Sequence, residues 1–132
     1  MTTLSPFLRN VIVVDAVTGF VAGLALIAGA DVTHDLLGLP SALLFWSGLA
    51  LIPFIALLAW ILRSNATALV PVVIGLNFVW VAASLYVVFG PSFAPTLPGQ
   101  VFVCAQAAVV FILAELQVIG LRRVQRRDGA AA

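Results

Sequence analysis

Four long apolar runs decide what this chain can fold into. They are Val11–Ala30, Ala42–Leu62, Thr67–Phe89 and Val101–Leu121. Each is about twenty residues long, enough to cross a hydrocarbon core about 30 Å thick at about 1.5 Å of rise per residue. Barrel strands are about ten residues long and alternate in polarity; these runs do not alternate. The chain is 64% hydrophobic and only 8% charged, so its charged side chains cannot cover a globule in water and a bilayer is the expected solvent. The predicted fold is therefore all-α, a single polytopic domain with four transmembrane helices at about 7–30, 41–62, 66–89 and 98–122, followed by a flexible tail over 123–132.

The breaks between the runs are chemically distinct. Asp31 to Pro40 is a polar connection, and Arg63-Ser64-Asn65-Ala66 is a tight turn. Three prolines in the segment from Gly90 to Pro98 rule out a continuous helix there. Ser41, Asn65 and Thr96 are the expected N-caps of the second, third and fourth helices. Connections this short predict an up-down-up-down bundle, with helices two and three as antiparallel neighbours. Pro53 and Pro71 each remove a backbone donor and are expected to bend their helices. Ala28-Gly29-Ala30 has the small-residue look of a signal cleavage site, but the preceding stretch is longer than a usual apolar signal region and carries Asp15, so it reads as a span.

Orientation follows from arginine. All 6 basic residues, Arg9, Arg63, Arg122, Arg123, Arg126 and Arg127, fall at ends of runs that share one side of the membrane. The opposite loops hold no Lys or Arg. The positive-inside rule then predicts that both termini and the Arg63 turn are cytoplasmic. Arg122, Arg123, Arg126 and Arg127 form a juxtamembrane cluster suited to anionic lipid headgroups. A net charge of +1 supplies no field for nucleic acid. Trp46 and Trp60, about 21 Å apart along their helix, suit the two interfacial belts.

The residues that ask for explanation are the polar ones inside the runs. Asp15 lies about 9 Å of helix from Arg9, and Glu115 about 10 Å from Arg122, which puts the two carboxyl groups at similar depth. Such groups are costly in lipid and are expected to face the bundle interior, a wet cleft or another protein. Asp15, Glu115, Asn77 and Arg9 form the candidate site for a proton or cation, with Arg9 the expected partner of Glu115. The structural alternative is a hydrogen-bonded network of these groups with Asn10, Thr18 and Gln117. Asn77 shares a helical face with Trp80 and Ser84, and Gln106 shares one with Gln117, roughly opposite Glu115. Gly19 and Gly23 form a GxxxG that allows close helix approach, within the bundle or in a dimer. Cys104, the only cysteine, reads as a small buried hydrophobe. No catalytic set, metal cluster or phosphate loop is present in the sequence, so no catalytic residue, metal or cofactor is expected.

In size and layout, from about Phe7 to Arg123, the chain resembles the small four-span bacterial inner-membrane proteins of the DoxX-like kind. The resemblance rests on four spans, short loops and polar positions such as Asp15, Asn77 and Glu115. It implies a bacterial inner-membrane location and a link to redox or stress assemblies. The placement of Asp15 in the first of four helices is also similar to small multidrug transporters. Two functions are thus expected: a non-enzymatic subunit or accessory of a larger membrane assembly, or a small proton-coupled transporter using Asp15 and Glu115. Either involves the lipid bilayer and a homo-oligomer or larger membrane complex.

Overall fold

The computed structural model describes residues 3–131. Four helices account for nearly all of them: α1 (Pro6–Leu37), α2 (Ser41–Ser64), α3 (Val70–Phe89) and α4 (Leu97–Ala131). A single 3-10 turn, Thr67–Leu69, leads into α3. Each helix is long and apolar enough to cross a membrane. The chain is a multi-pass membrane protein with an all-α, four-helix architecture.

Two helices outrun their expected limits. α1 continues past Ala30 to Leu37, because Asp31 to Leu37 contains no proline or glycine and its polar groups sit at the end of the span. Gly38 stops it in the left-handed region, at φ 67°. There the Gly38 and Leu39 N–H groups both donate to the His34 carbonyl, at 2.9 and 3.2 Å, while Leu39 is buried. α4 likewise runs through the arginine cluster to Ala131, where the sequence reading placed a flexible tail. The run from Arg122 to Arg127 contains no helix breaker, and Arg123 stacks its guanidinium over the Phe7 ring at 5.1 Å.

The caps also differ from expectation. Ser5, not foreseen, caps α1 by accepting from the Leu8 N–H at 3.2 Å. Ser41 is the first residue of α2 and caps nothing. Asn65 closes α2 from its C-terminal side, in the left-handed region at φ 53° that asparagine tolerates. Thr96 does cap α4: its hydroxyl accepts from the Gly99 N–H at 3.2 Å. It also donates to the Leu36 carbonyl at 2.6 Å, which ties the start of α4 to the end of α1. Pro71 lies in the first turn of α3, where no intrahelical donor is needed, so only Pro53 interrupts a helix interior.

Packing is uneven around the bundle. α1 lies along α2, α3 along α4, and α1 along α4, while α2 and α3 touch little despite the short turn between them. The expected α2–α3 neighbour contact is thus confined to the region of the turn. Two apolar clusters close the bundle at opposite ends. Leu8, Ile12, Leu58, Ile61, Val70, Val73, Leu121 and Val124 pack at the arginine end. Ala30, Leu37, Leu39, Leu44 and Val103 pack at the other. Cys104 is exposed on α4 rather than buried.

Small residues set the α1–α2 distance. A methyl group on Gly48 would stand 2.9 Å from side-chain carbons of both Leu26 and Ile27, and 3.0 Å from the Gly23 carbonyl oxygen. Gly23 itself faces the Gly48 carbonyl and Leu51, and Gly19 faces Ile55. The GxxxG therefore packs against α2 of the same chain. Gly48→Ala should lower stability by about 1–3 kcal/mol through overpacking against backbone that cannot yield. Gly19→Ala, whose methyl group meets only ordinary contacts at 3.6 Å, should stay within about 0.5 kcal/mol. Thermal unfolding of the two variants in the same detergent measures the difference.

Candidate functional site

Three helices each send one polar side chain to a common point. Asp15 of α1, Asn77 of α3 and Gln117 of α4 are all buried. Asn77 Nδ2 donates to Asp15 Oδ2 at 2.9 Å and to Gln117 Oε1 at 3.0 Å. Gln117 Nε2 donates to the same Asp15 oxygen at 2.7 Å. The result is a closed ring of three hydrogen bonds with one carboxyl oxygen receiving two of them. In lipid such bonds are worth about 0.6–2 kcal/mol each, and leaving one of the groups unpaired would cost more than that net gain.

The ring fixes the amide orientations. Turning Asn77 over would set its carbonyl oxygen against Asp15 Oδ2, acceptor against acceptor, and would cost both of its donated bonds. With Nδ2 so committed, Asn77 Oδ1 makes no hydrogen bond among the described residues, and neither does Asp15 Oδ1. Neither atom is sealed off, since no unsatisfied side-chain polar atom is fully buried among the described residues. Both residues line an intramembrane cleft of about 630 Å³. These two oxygens are the ring's open valences.

The cleft occupies the gap left where α2 and α3 separate. Ala50, Pro53, Phe54 and Leu57 of α2 form one wall, and Leu76, Val79, Trp80 and Ala83 of α3 another, with Thr18, Gly19 and Ala22 of α1 at the back. Ala50 and Pro53 on one side and Leu76, Val79 and Ala83 on the other are exposed. The cleft therefore opens sideways, at mid-span, between the two end clusters. Besides Asp15 and Asn77, its polar lining consists of Thr18, Trp80 and Gln106. The Thr18 hydroxyl is spent on the Asp15 carbonyl at 3.0 Å. Trp80 Nε1 donates to Gln106 Oε1 at 2.7 Å, and Gln106 Nε2 donates to Ser84 Oγ at 2.8 Å and to the Val103 carbonyl at 2.9 Å.

The expected quartet of Asp15, Glu115, Asn77 and Arg9 does not assemble. Asp15 and Asn77 meet, as just described. Glu115 is exposed and makes no hydrogen bond or ion pair among the described residues. It precedes Gln117 by two residues, about 3 Å of rise, which sets it level with Asp15. Two residues turn a helix by about 200°, so burying Gln117 forces Glu115 outward. Arg9 does not reach it. Its guanidinium instead closes the C-terminal end of α2, donating to the Leu62 carbonyl at 3.0 Å and to Asn65 Oδ1 at 2.7 Å. There it meets the negative end of the helix dipole, which Arg63 in the last turn of α2 also faces. Arg122, Arg126 and Arg127 are exposed at the same end of the molecule. No group of three or more His, Cys, Asp or Glu with metal-binding geometry occurs among the described residues.

No protein-family model, curated protein or solved structure matches the chain. The reading of this site therefore rests on its own geometry. Gln117→Leu and Asn77→Leu should each destabilise the protein by about 1–3 kcal/mol, because each strands a buried polar partner. The double variant should cost less than their sum, with a coupling of about 0.5–3 kcal/mol. Asp15→Asn keeps an acceptor oxygen in the ring and should cost less than either. Thermal unfolding of the parent and these four variants in one detergent measures each cost and closes the cycle.

Proposed function

We propose that this chain is a non-enzymatic subunit or accessory of a larger assembly in the bacterial inner membrane, in keeping with its DoxX-like layout. The observation that carries the reading is Glu115. An ionisable side chain at span depth, on the outer face of α4 and without a partner among the described residues, is costly against lipid. A neighbouring protein that offers a donor there removes the cost. The arginines support an orientation with both termini cytoplasmic, which sets Glu115 in the inner leaflet.

The proton-coupled transporter remains a second reading, favoured by the open oxygen of Asp15 at the cleft. It has lost its second carboxyl, since Glu115 faces away, and Asp15 is held in a ring that would have to open for each cycle. The subunit reading asks for no such rearrangement.

Native mass spectrometry after mild extraction from the host membrane tests the proposal. The expected result is a defined complex larger than the 13.9 kDa chain that contains a second, stoichiometric protein. Glu115→Leu should release the partner while leaving the chain folded. A lone chain or a homodimer that carries coupled proton flux in proteoliposomes, lost in Asp15→Asn and kept in Glu115→Leu, would instead establish the transporter.

A further inference from the structure

The cleft beside the Asp15 ring has the features of a ligand site rather than of a packing gap. Its volume of about 630 Å³ lies within the 300–1,000 Å³ typical of small-molecule pockets. Its walls are apolar, and its polar features converge on one point, where Asp15 Oδ1 and Asn77 Oδ1 stand open. Its mouth faces sideways between α2 and α3, so a molecule dissolved in the bilayer can enter without crossing water.

We propose that this cleft binds a lipid alcohol, a molecule with a long apolar body and a single hydroxyl head. The head group follows from counting donors and acceptors. Asn77 Oδ1 only accepts, so the ligand must donate. Asp15 Oδ1 accepts when the carboxyl is ionised and donates when it is protonated, and a hydroxyl, which does both, answers either form. A primary ammonium has donors only, so it answers the ionised carboxyl and not the protonated one. A ketone or ether has no donor for Asn77. The body follows from the walls, which offer apolar contact along α2 and α3. A second, smaller cavity of about 160 Å³ shares Ala22, Trp80, Ala83 and Gln106 with the first and continues toward Leu39 and Leu44. The Trp80–Gln106 pair therefore flanks the path of the chain beyond the head.

A whole helix is a poor occupant. A protein helix laid there would need its own side-chain donor at the level of Asn77.

Trp80 supplies the readout. In the Trp46→Phe, Trp60→Phe background it is the remaining tryptophan, and it lines the cleft. This protein, reconstituted in phosphatidylcholine nanodiscs, is titrated with a long-chain alcohol brominated at mid-chain and with the methyl ether of the same alcohol. The alcohol should quench Trp80 fluorescence at a mole fraction about fivefold lower than the ether, the difference expected of one net hydrogen bond. Asp15→Asn should keep most of that preference, because the hydroxyl still donates to Asn77 Oδ1 and its oxygen accepts from the amide nitrogen that then faces the ligand. Ala83→Phe, on the exposed edge of the cleft, should weaken quenching by both probes while leaving the unfolding temperature nearly unchanged. Equal quenching by alcohol and ether overturns the proposal, as does quenching by the alcohol that Ala83→Phe does not alter. Shielding of Trp80 from both probes in a protein that elutes as a dimer also overturns it, and hands the cleft to a second copy.

Discussion

A carboxyl group and two amides meeting inside the bilayer hold the halves of this protein in register. Lipid tails are as apolar as the helix surfaces, so burial of leucine and valine does little to choose one helix pairing over another. The α1–α2 hairpin is zipped by small residues, with Gly48 against Leu26, Ile27 and Gly23. The α3–α4 hairpin is laced by Trp80, Gln106 and Ser84. About 9 Å of helix in from Arg9, the hydrogen bonds of Asp15 to Asn77 and Gln117 join one hairpin to the other. Moving α4 by one residue relative to α1 would turn Gln117 out of the ring and Glu115 partly in. The ring thus specifies rotation and depth together.

The cleft follows from the same uneven distribution of interactions. α1 contacts α4 through packed apolar residues and through the ring, whereas α2 and α3 have no comparable polar or small-residue lock along their facing sides. They separate beyond the turn at Asn65, and the space between them is lined by Ala50, Pro53, Leu76 and Val79. Pro53 contributes no backbone donor there, and Gly75 has nothing within reach of an added methyl group. An open flank in water would collapse. Within lipid it can be filled by the solvent itself, or by something that outcompetes it.

Much of this architecture was legible in the sequence. Helix number and approximate position follow from the lengths of the apolar runs, and Asp15 and Asn77 stand out because polar groups in such runs are few. The choice between Glu115 and Gln117 was harder. Formal charge drew attention to Glu115, while the better signal was the pairing of Gln106 and Gln117, whose separation of eleven residues returns them to one face after three turns. Two amides on the face opposite a carboxyl mark the interior side of α4. The reach of Arg9 across to Leu62 and Asn65 had no local signature, since it depends on how α1 and the end of α2 are set side by side. The extension of α1 to Leu37 was hidden by polarity, which reads as loop in a membrane sequence although it says nothing against helix outside the lipid.

The two apolar clusters that close the ends of the bundle carry a consequence for the cell as well as for the fold. Between them lies a cleft that opens to the flank, and Leu8, Ile12, Leu58, Ile61 and Val73 pack together at one end. A water file cannot thread such a plug, and an ion stripped of water would meet only hydrocarbon. In this arrangement the apolar ends oppose the passage of a charge, and the cleft communicates with the lipid rather than with the water on either side.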